Sequence, residues 1–227
     1  MRALVVEHDE YEVPGAVGRE LERRGFELVP FLVQEDRSLP DGNSSFPDPT
    51  HFELIVPFGS PWSVHDPAIA SWLDPELDML RKAMASEVPV MGICFGSQAL
   101  AAAAGGEVRR APAPEIGWHE VGSVIPQLAG TWFQWHRDVF EVPAGAELLA
   151  FNPVGPQVFR VGNSVGIQFH PEVDYDHLSM WMSTGGASAL RALGGDPEEL
   201  LVETKQRDPE VGRRVRGLVG WFLDEIA

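Results

Sequence analysis

The stretch that decides the fold reads Val88-Pro89-Val90-Met91-Gly92-Ile93-Cys94-Phe95-Gly96-Ser97-Gln98. Its first half is a short apolar run that ends at Ile93, which is typical of a buried parallel strand. The alanine-rich run 99–104 that follows has a high helix propensity. Between the two, a potential nucleophile stands between two glycines, as in the strand–turn–helix element called a nucleophile elbow. The stretch therefore predicts a strand, a sharp turn at Cys94, and a helix.

The two glycines and the predicted helix bear on the chemistry of Cys94. A β-carbon at Gly92 or Gly96 would obstruct a reversal made in so little space. The turn would place the sulfur above the carboxyl edge of the sheet, where the free N–H groups and the dipole of the helix favour a thiolate. A lone cysteine is more often a small buried hydrophobic residue. The functional interpretation of Cys94 therefore depends on partners elsewhere in the chain.

Length and composition predict one globular α/β domain over residues 1–227. Hydrophobic residues make up 44% of the 227 and charged residues 22%, and no apolar run approaches the roughly 20 residues that span a bilayer. A formal net charge of −17 argues against nucleic acid or an anionic membrane as a partner. The single cysteine excludes an internal disulfide, and with the early polar residues of the N-terminus it favours a cytoplasmic protein.

No cofactor is predicted. The seven histidines are scattered, and Cys94 has no second cysteine with which to form a metal-binding pair. The sequence contains neither the Gly-x-Gly-x-x-Gly fingerprint nor the phosphate-binding Gly-x-x-x-x-Gly-Lys motif.

The order of the predicted elements indicates a mostly parallel sheet covered on both faces. Apolar runs predict strands over 2–6, 27–33, 52–56, 88–93 and 165–169. Helical spacing predicts a helix over 14–24 and a second helix that starts at Asp74-Pro75-Glu76. Short runs at 121–125, 147–151 and 157–161 predict an antiparallel excursion in the middle of the chain. From about 174 to 227 the chain predicts helices, two of which would start at Asp196-Pro197 and Asp208-Pro209.

A second chemical motif, His170-Pro171-Glu172, follows the last predicted strand. Alternation along a strand places His170 and Glu172 on the same face. A histidine that takes a proton from a thiol needs a carboxylate to hold its ring and its tautomer, so the pair has the composition of a triad with Cys94. Alone, His-Pro-Glu would be an ordinary surface turn. The two motifs after two apolar strands together favour a catalytic site.

The two motifs resemble those of the class I (triad) glutamine amidotransferases. Gly92-Ile93-Cys94-Phe95-Gly96-Ser97-Gln98 is similar to the family's nucleophile motif, and Gly166-Ile167-Gln168-Phe169-His170-Pro171-Glu172 is similar to its second motif. The resemblance covers about residues 52–174 and is closest to stand-alone, GMP-synthase-like members. It implies a flavodoxin-like sheet and hydrolysis of the glutamine side-chain amide through a γ-glutamyl thioester. By this resemblance Cys94 is the nucleophile, His170 the general base and acid, and Glu172 the residue that orients His170.

The resemblance also implies an oxyanion hole made of backbone N–H groups. One donor would be the N–H of Phe95, and the other would come from Gly59-Ser60-Pro61, where the family usually carries Gly-Gly-Pro. Serine is strained where φ is positive. We expect Ser60 to be tolerated; otherwise the oxyanion hole would form only on activation.

Gly59, Gln98 and His136 are the expected substrate-binding residues. The glutamine of the family that matches Gln98 contacts the substrate, although a glutamine on a helix surface would look the same. His136 lies in Trp135-His136-Arg137-Asp138, which resembles the family's His-Gly-Asp with Arg137 in place of glycine. We expect His136 to be structural or to lie on the acceptor side, because only His170 has a carboxylate at same-face spacing.

The predicted function is a glutaminase that releases ammonia for a separate synthetase, because the chain has no ATP-binding signature. One alternative is a free-standing γ-glutamyl amide or peptide hydrolase that uses the same triad. Another is a catalytically silent binding member of the same fold.

Overall fold

Strand β1 lies at the centre of a parallel group, between β2 and β3, in the computed structural model, which describes residues 1–227. A parallel bridge between Ile55 and Val90 brings β4 beside β3, and β9 pairs in parallel with β4. The strands are β1 (Arg2–Glu7), β2 (Glu27–Leu32), β3 (Leu54–Pro57), β4 (Met91–Ile93), β5 (Val108–Val121), β6 (Gly130–Phe140), β7 (Glu147–Phe151), β8 (Pro156–Val161) and β9 (Ser164–Ile167). The order across the sheet is therefore β2-β1-β3-β4-β9-β8-β7.

Helices cover both faces of this sheet. They are α1 (Gly15–Arg23), α2 (Ala70–Ala85), α3 (Phe95–Ala103), α4 (Tyr175–Trp181), α5 (Ala187–Ala192) and α6 (Pro197–Glu225). Alternation along β1 sends Ala3 and Val5 into one apolar core, and Leu4 and Val6 into the other. The first core is closed by α1 and α6, and the second by α2 and α3. This arrangement confirms the predicted mostly parallel sheet with helices on both faces.

The predicted antiparallel excursion is confirmed and has two parts. Strands β5 and β6 form an antiparallel ribbon of their own, and β7, β8 and β9 pair antiparallel at one edge of the main sheet. The predicted strand over 121–125 is wrong, because β5 ends at Val121. The hydroxyl of Ser123 accepts the N–H of Ile125 and donates to the carbonyl of Leu149, so side-chain hydrogen bonds replace a strand ladder there.

Two of the three helix starts predicted from Asp-Pro pairs are wrong. The pair at Asp196 does begin α6, and its carboxylate accepts the N–H of Glu198. The helix predicted from Asp74 begins earlier, at Ala70, because Asp66 caps a 3-10 turn that leads directly into α2. Asp208 lies inside α6, and its carboxylate accepts the N–H of Tyr175, the first residue of α4. The carboxylate of Asp208 therefore caps α4 and does not start a helix of its own.

No helix combines the length and the apolar character that crossing a lipid bilayer would require.

Gly96 is the glycine on which the turn at Cys94 depends most, and we expect Gly96→Ala to destabilise the fold. A β-carbon at Gly96 would lie 2.1 Å from the carbonyl oxygen of Pro57. The backbone would have to separate β3 from α3, at a cost of about 3 kcal/mol in the free energy of unfolding. Urea denaturation measures this loss.

Gly212→Ala is the matched control, since a β-carbon at that site in α6 meets only a guanidinium nitrogen at 3.7 Å. This substitution should raise the free energy of unfolding by roughly 0.5–1 kcal/mol. Equal effects of the two alanines would contradict the close approach at Gly96.

Candidate active site

Neighbouring strands β4 and β9 carry the two predicted motifs to the same edge of the sheet. Ile93 lies opposite Ile167 in the parallel register, and the N–H of Cys94 donates to the carbonyl of Ile167 over 2.8 Å. Three residues after Ile167, the N–H of His170 donates to the carbonyl of Phe133 at 2.8 Å. Cys94 and His170 therefore leave adjacent strands side by side and line one cavity.

Cys94 stands at a strained turn. Its backbone has φ 51° and ψ −110°, and Glu87 is the only other non-glycine residue with a positive φ. A β-carbon at Gly92 would lie 2.5 Å from the carbonyl oxygen of Gly96, so both flanking glycines are required by close approach. The N–H of Gly96 donates to the carbonyl of Phe58 over 2.9 Å, which ties the start of α3 to the end of β3. These contacts hold a conformation that costs on the order of 1–3 kcal/mol.

The His170 imidazole is oriented by Glu172. Its Nδ1–H donates to the Glu172 carboxylate over 2.6 Å, and both side chains are buried. Trp181 packs edge-on against the ring, with centroids 5.2 Å apart. The other ring nitrogen, Nε2, is buried and has no hydrogen-bond partner, and His170 lines the same cavity as Cys94. Burial lowers the pKa of His170, but its electrostatic interactions with Cys94 and Glu172 outweigh burial and raise that pKa well above the usual value.

The Cys94 side chain borders a cavity of about 440 Å³ while being only 6% exposed itself. The sulfur lies 3.9 Å from the carbonyl oxygen of Trp135 and 3.9 Å from the Nε2 of Gln168. Part of the lining of the cavity is apolar and includes Ile116, Trp135, Trp181 and Leu193. The volume is sufficient for an amino-acid side chain to reach the sulfur.

The loop after β3 forms another wall and contains two of the predicted residues, Gly59 and Ser60. Ser60 does not adopt a positive φ, so serine is accommodated here without the strain that a left-handed position would impose. A β-carbon at Gly59 would lie 2.6 Å from a carboxylate oxygen of Glu12 and 3.3 Å from the Cε1 of His170. The N–H of Phe95, the first residue of α3, has no acceptor within its helix.

Gln98 and His136 also line the cavity, and both are held by hydrogen bonds. The Nε2 of Gln98 donates to the carbonyl of Asp138 at 3.2 Å and to the side chain of Gln168 at 3.3 Å. His136 uses both ring nitrogens, with Nδ1 on the carbonyl of Asp138 at 2.9 Å and Nε2 on the carboxylate of Glu115 at 3.0 Å. Because neither imidazole nitrogen is free, His136 is not placed to accept a proton from Cys94.

A buried histidine that the sequence did not single out supports the loop at Gly59. The Nδ1 of His8 donates to the Gly59 carbonyl at 2.8 Å, and its Nε2 lies 3.0 Å from the Glu76 carboxylate. Burial lowers the pKa of His8, but the negative charge of Glu76 and its hydrogen bonds more than offset this and raise it. A protonated His8 can donate to both partners at once.

Three further residues at this site were missed from the sequence: Glu12, His8 and Gln168. His8 and Glu12 both follow β1, and ligands of parallel α/β sheets bind beyond the carboxyl ends of the strands. This rule, applied to the carboxyl end of β1, would have predicted both residues as candidates for the site. Gln168 follows β9 directly, and only the pairing of β9 with β4 brings its side chain near Cys94.

A family model described as "Glutamine amidotransferase class-I" matches residues 17–180. The chain belongs to this family. Glutamine-hydrolysing GMP synthase of Aeropyrum pernix is 35% identical over 170 residues, which is 68% of this chain and 30% of that enzyme. YfeJ of Salmonella typhimurium, named as glutamine amidotransferase-like, is 30% identical over 190 residues, 76% of either chain. The chain thus spans about a third of the length of the GMP synthases that it matches.

Two solved structures named as glutamine amidotransferases have the same fold as this chain. A glutamine amidotransferase of Thermotoga maritima superposes with a TM-score of 0.86 at 24% identity, covering 99% of both chains. A second, from Methylobacillus flagellatus, has a TM-score of 0.81 at 24% identity and covers 100% of this chain and 95% of that one. The flavodoxin-like fold implied by the sequence motifs is therefore confirmed.

We expect His8→Gln to lower the free energy of unfolding in a pH-dependent way. Because the pKa of His8 is raised in the folded protein, its contribution is fully present below the unfolded pKa of about 6.5 and is lost as pH rises through the folded pKa. The loss should be about 2–3 kcal/mol at pH 6 and smaller at pH 9. Denaturation of both proteins across this range measures the difference. A loss that grows with pH would contradict a charged His8.

Proposed function

We propose that this class I amidotransferase hydrolyses the side-chain amide of glutamine to glutamate and ammonia, with Cys94, His170 and Glu172 as its catalytic triad. The observation that carries the proposal is the arrangement of the three side chains. The only cysteine stands at a strained turn and lines the same cavity as His170, whose Nε2 is free while a buried carboxylate holds the other ring nitrogen at 2.6 Å. This is the order of nucleophile, base and orienting group that covalent amide hydrolysis requires.

In the first half of the reaction, the Nε2 of His170 takes the thiol proton and the Cys94 sulfur attacks the amide carbon. The amide oxygen becomes an oxyanion, for which the N–H groups of Phe95 and Ser60 are the proposed donors. The intermediate then collapses, and its C–N bond breaks. His170 returns the proton to the departing nitrogen, which leaves as ammonia, and a γ-glutamyl thioester stays on Cys94. The raised pKa of His170 favours the imidazolium form that donates this proton.

In the second half, His170 removes a proton from water, and the hydroxide formed attacks the thioester carbon. The C–S bond breaks, glutamate leaves, and the proton on His170 returns to the Cys94 sulfur. Glu172 stays ionised throughout and stabilises the imidazolium of each step. Gly59, Gln98 and His136, which line the cavity, are the proposed substrate-binding residues; Gln98 and His136 are already fixed by hydrogen bonds.

The size of the cavity favours a second candidate substrate class, γ-glutamyl amides or peptides. The cavity has a volume of about 440 Å³, and its lining includes the apolar side chains of Trp135, Trp181 and Leu193. Such a lining would accommodate an apolar amine as the leaving group in place of ammonia. A higher kcat/KM for γ-glutamyl amines than for glutamine would favour this candidate over the first.

We propose further that the ammonia serves a synthetase on a separate protein. The relatives named GMP synthase are glutamine-hydrolysing enzymes about three times as long as the segment that this chain matches. No nucleotide-binding motif occurs among the residues of this chain to supply the acceptor chemistry. A partner that raises the glutaminase rate of the purified chain would identify the acceptor.

Replacing each member of the triad should remove glutaminase activity without unfolding the protein. Cys94→Ala and His170→Gln should lower kcat for glutamate release by about 10⁴-fold or more, and Glu172→Gln by on the order of 10³-fold or more. Coupled measurement of glutamate and ammonia quantifies all three. His51→Gln, which changes an exposed histidine far from the cavity, should keep the full rate. Equal rates for the wild type and Cys94→Ala would reject the proposal.

A glutamine analogue that alkylates thiols gives an independent test. The chain has a single cysteine, so mass spectrometry of the intact protein reports on Cys94 alone. We expect one adduct in the wild type, slower labelling in His170→Gln and none in Cys94→Ala. Failure of the wild type to be labelled would favour a catalytically silent binding member of the family.

A further inference from the structure

Two carboxyl groups line the cavity beside Cys94, and only one of them is engaged by the protein. Asp138 accepts a hydrogen bond from the hydroxyl of Ser63 and pairs with Arg110 at 3.4 Å. The carboxylate of Glu12 accepts no hydrogen bond and forms no ion pair, although Glu12 is only 7% exposed. A buried, unpartnered acid that opens onto a ligand cavity requires an explanation.

Glu12 lies next to the proposed catalytic groups. One of its carboxylate oxygens lies 2.6 Å from the point where a β-carbon of Gly59 would stand, and the Cε1 of His170 lies 3.3 Å from the same point. The carboxylate and the imidazole therefore both lie close to Gly59, beside the same point. The charged and titratable groups that act on Glu12 from the surrounding elements are His8, Asp9, Arg37, His170 and Glu172.

The energetics of Glu12 favour a cationic ligand. Burial raises the pKa of Glu12 to about 7, and the charges of Asp9 and Glu172 add to this, while His170 and Arg37 act in the opposite direction. A buried carboxylate without a partner is costly, and a cation that donates hydrogen bonds to it removes that cost. Arg37 does not do so, because it pairs with Asp9 at 3.3 Å and lies over the ring of Tyr11.

We propose that Glu12 binds a primary ammonium group in the cavity. If the proposed function holds, two ammonium groups occur there, and the proposal rests on that function for their identity. One is the α-ammonium of glutamine, and the other is ammonia that has left the substrate and taken up a proton. Both present N–H donors and a positive charge to the one acid that the protein leaves free. Glu12 would then be a substrate- or product-binding residue supplied by the loop after β1.

The test for the α-ammonium uses the Cys94→Ala protein, in which binding is measured without turnover. Isothermal titration calorimetry compares glutamine with glutaramate, which has the same amide and carboxylate but no α-amino group. We expect the Cys94→Ala protein to bind glutamine more tightly than glutaramate. The further change Glu12→Gln should weaken glutamine binding about 10-fold or more and leave the affinity for glutaramate unchanged. Glu10→Gln, which changes an exposed acid of the same loop, should alter neither affinity.

The test for released ammonia uses ¹³C-carboxyl NMR of the same proteins, with the Glu12 signal identified by its loss in Glu12→Gln. Ammonium chloride should shift the apparent pKa of the Glu12 carboxyl downward, whereas potassium chloride at equal ionic strength should not. An ammonium-specific shift of the Glu12 pKa, together with equal affinities for glutamine and glutaramate, would show that Glu12 binds the ammonium product and not the α-ammonium group of the substrate. If Glu12→Gln fails to fold, Glu12→Asp keeps the acid but shortens it and should give a partial loss of the same kind.

The pH dependence separates charge from shape. Below about pH 7 Glu12 takes up a proton and loses its charge, so the affinity of Cys94→Ala for glutamine should fall between pH 8 and pH 6. That slope should be absent in the Glu12→Gln protein and for glutaramate. Equal weakening of glutamine and glutaramate, or no effect of Glu12→Gln together with no ammonium-specific shift, would overturn the proposal. Because these measurements need no catalysis, an inactive wild type would reject the proposed function and leave this inference to be decided by binding.

Discussion

The hydrogen bond from the N–H of Cys94 to the carbonyl of Ile167, 2.8 Å long, extends the β4–β9 pairing one residue into the turn. The bond from Gly96 to the Phe58 carbonyl anchors the other side of the turn to β3. Between these two anchors the chain has no room for a β-carbon at Gly92 or Gly96, and Cys94 takes a positive φ. The strain is thus maintained by the sheet itself, and the position of the sulfur relative to His170 follows from strand register.

Once the register is set, the electrostatics of the site follow from burial. Several acids are removed from water around His170, among them Glu172 and Glu12. The protein compensates for some of this charge with imidazolium groups, since the pKa values of His8 and His170 are both raised despite burial. Each histidine bonds a carboxylate with one nitrogen, which leaves His170 with one free nitrogen at the cavity and His8 with one on the Gly59 carbonyl. The same pairing therefore holds the loop in one case and, in the proposed function, orients the catalytic base in the other.

Sequence reasoning found what local chemistry encodes. The elbow and the His-Pro-Glu segment each combine a structural requirement with a chemical group within seven residues, so both could be read from the chain. Features that depend on residues distant in the sequence could not be predicted from the chain alone. An Asp-Pro pair caps α6 at Asp196, but at Asp208 the carboxylate caps α4 across a tertiary contact. Glu12 resembles any loop acid until the burial of its carboxylate beside Gly59 is known.

The strand order explains why the site has contributions from four loops. Strands β1, β3, β4 and β9 are consecutive in the sheet, and their carboxyl ends supply in turn Glu12, Gly59, Cys94 and His170. Helix α1, which follows the first of these loops, also contacts the last of them, since the N–H of Ala16 donates to the carbonyl of Glu172 at 2.9 Å. The loop after β1 and the loop after β9 therefore line the cavity together. A change in the sequence of the loop after β1 can alter what the cavity binds while the register of β4 and β9, and with it the positions of Cys94 and His170, stays the same.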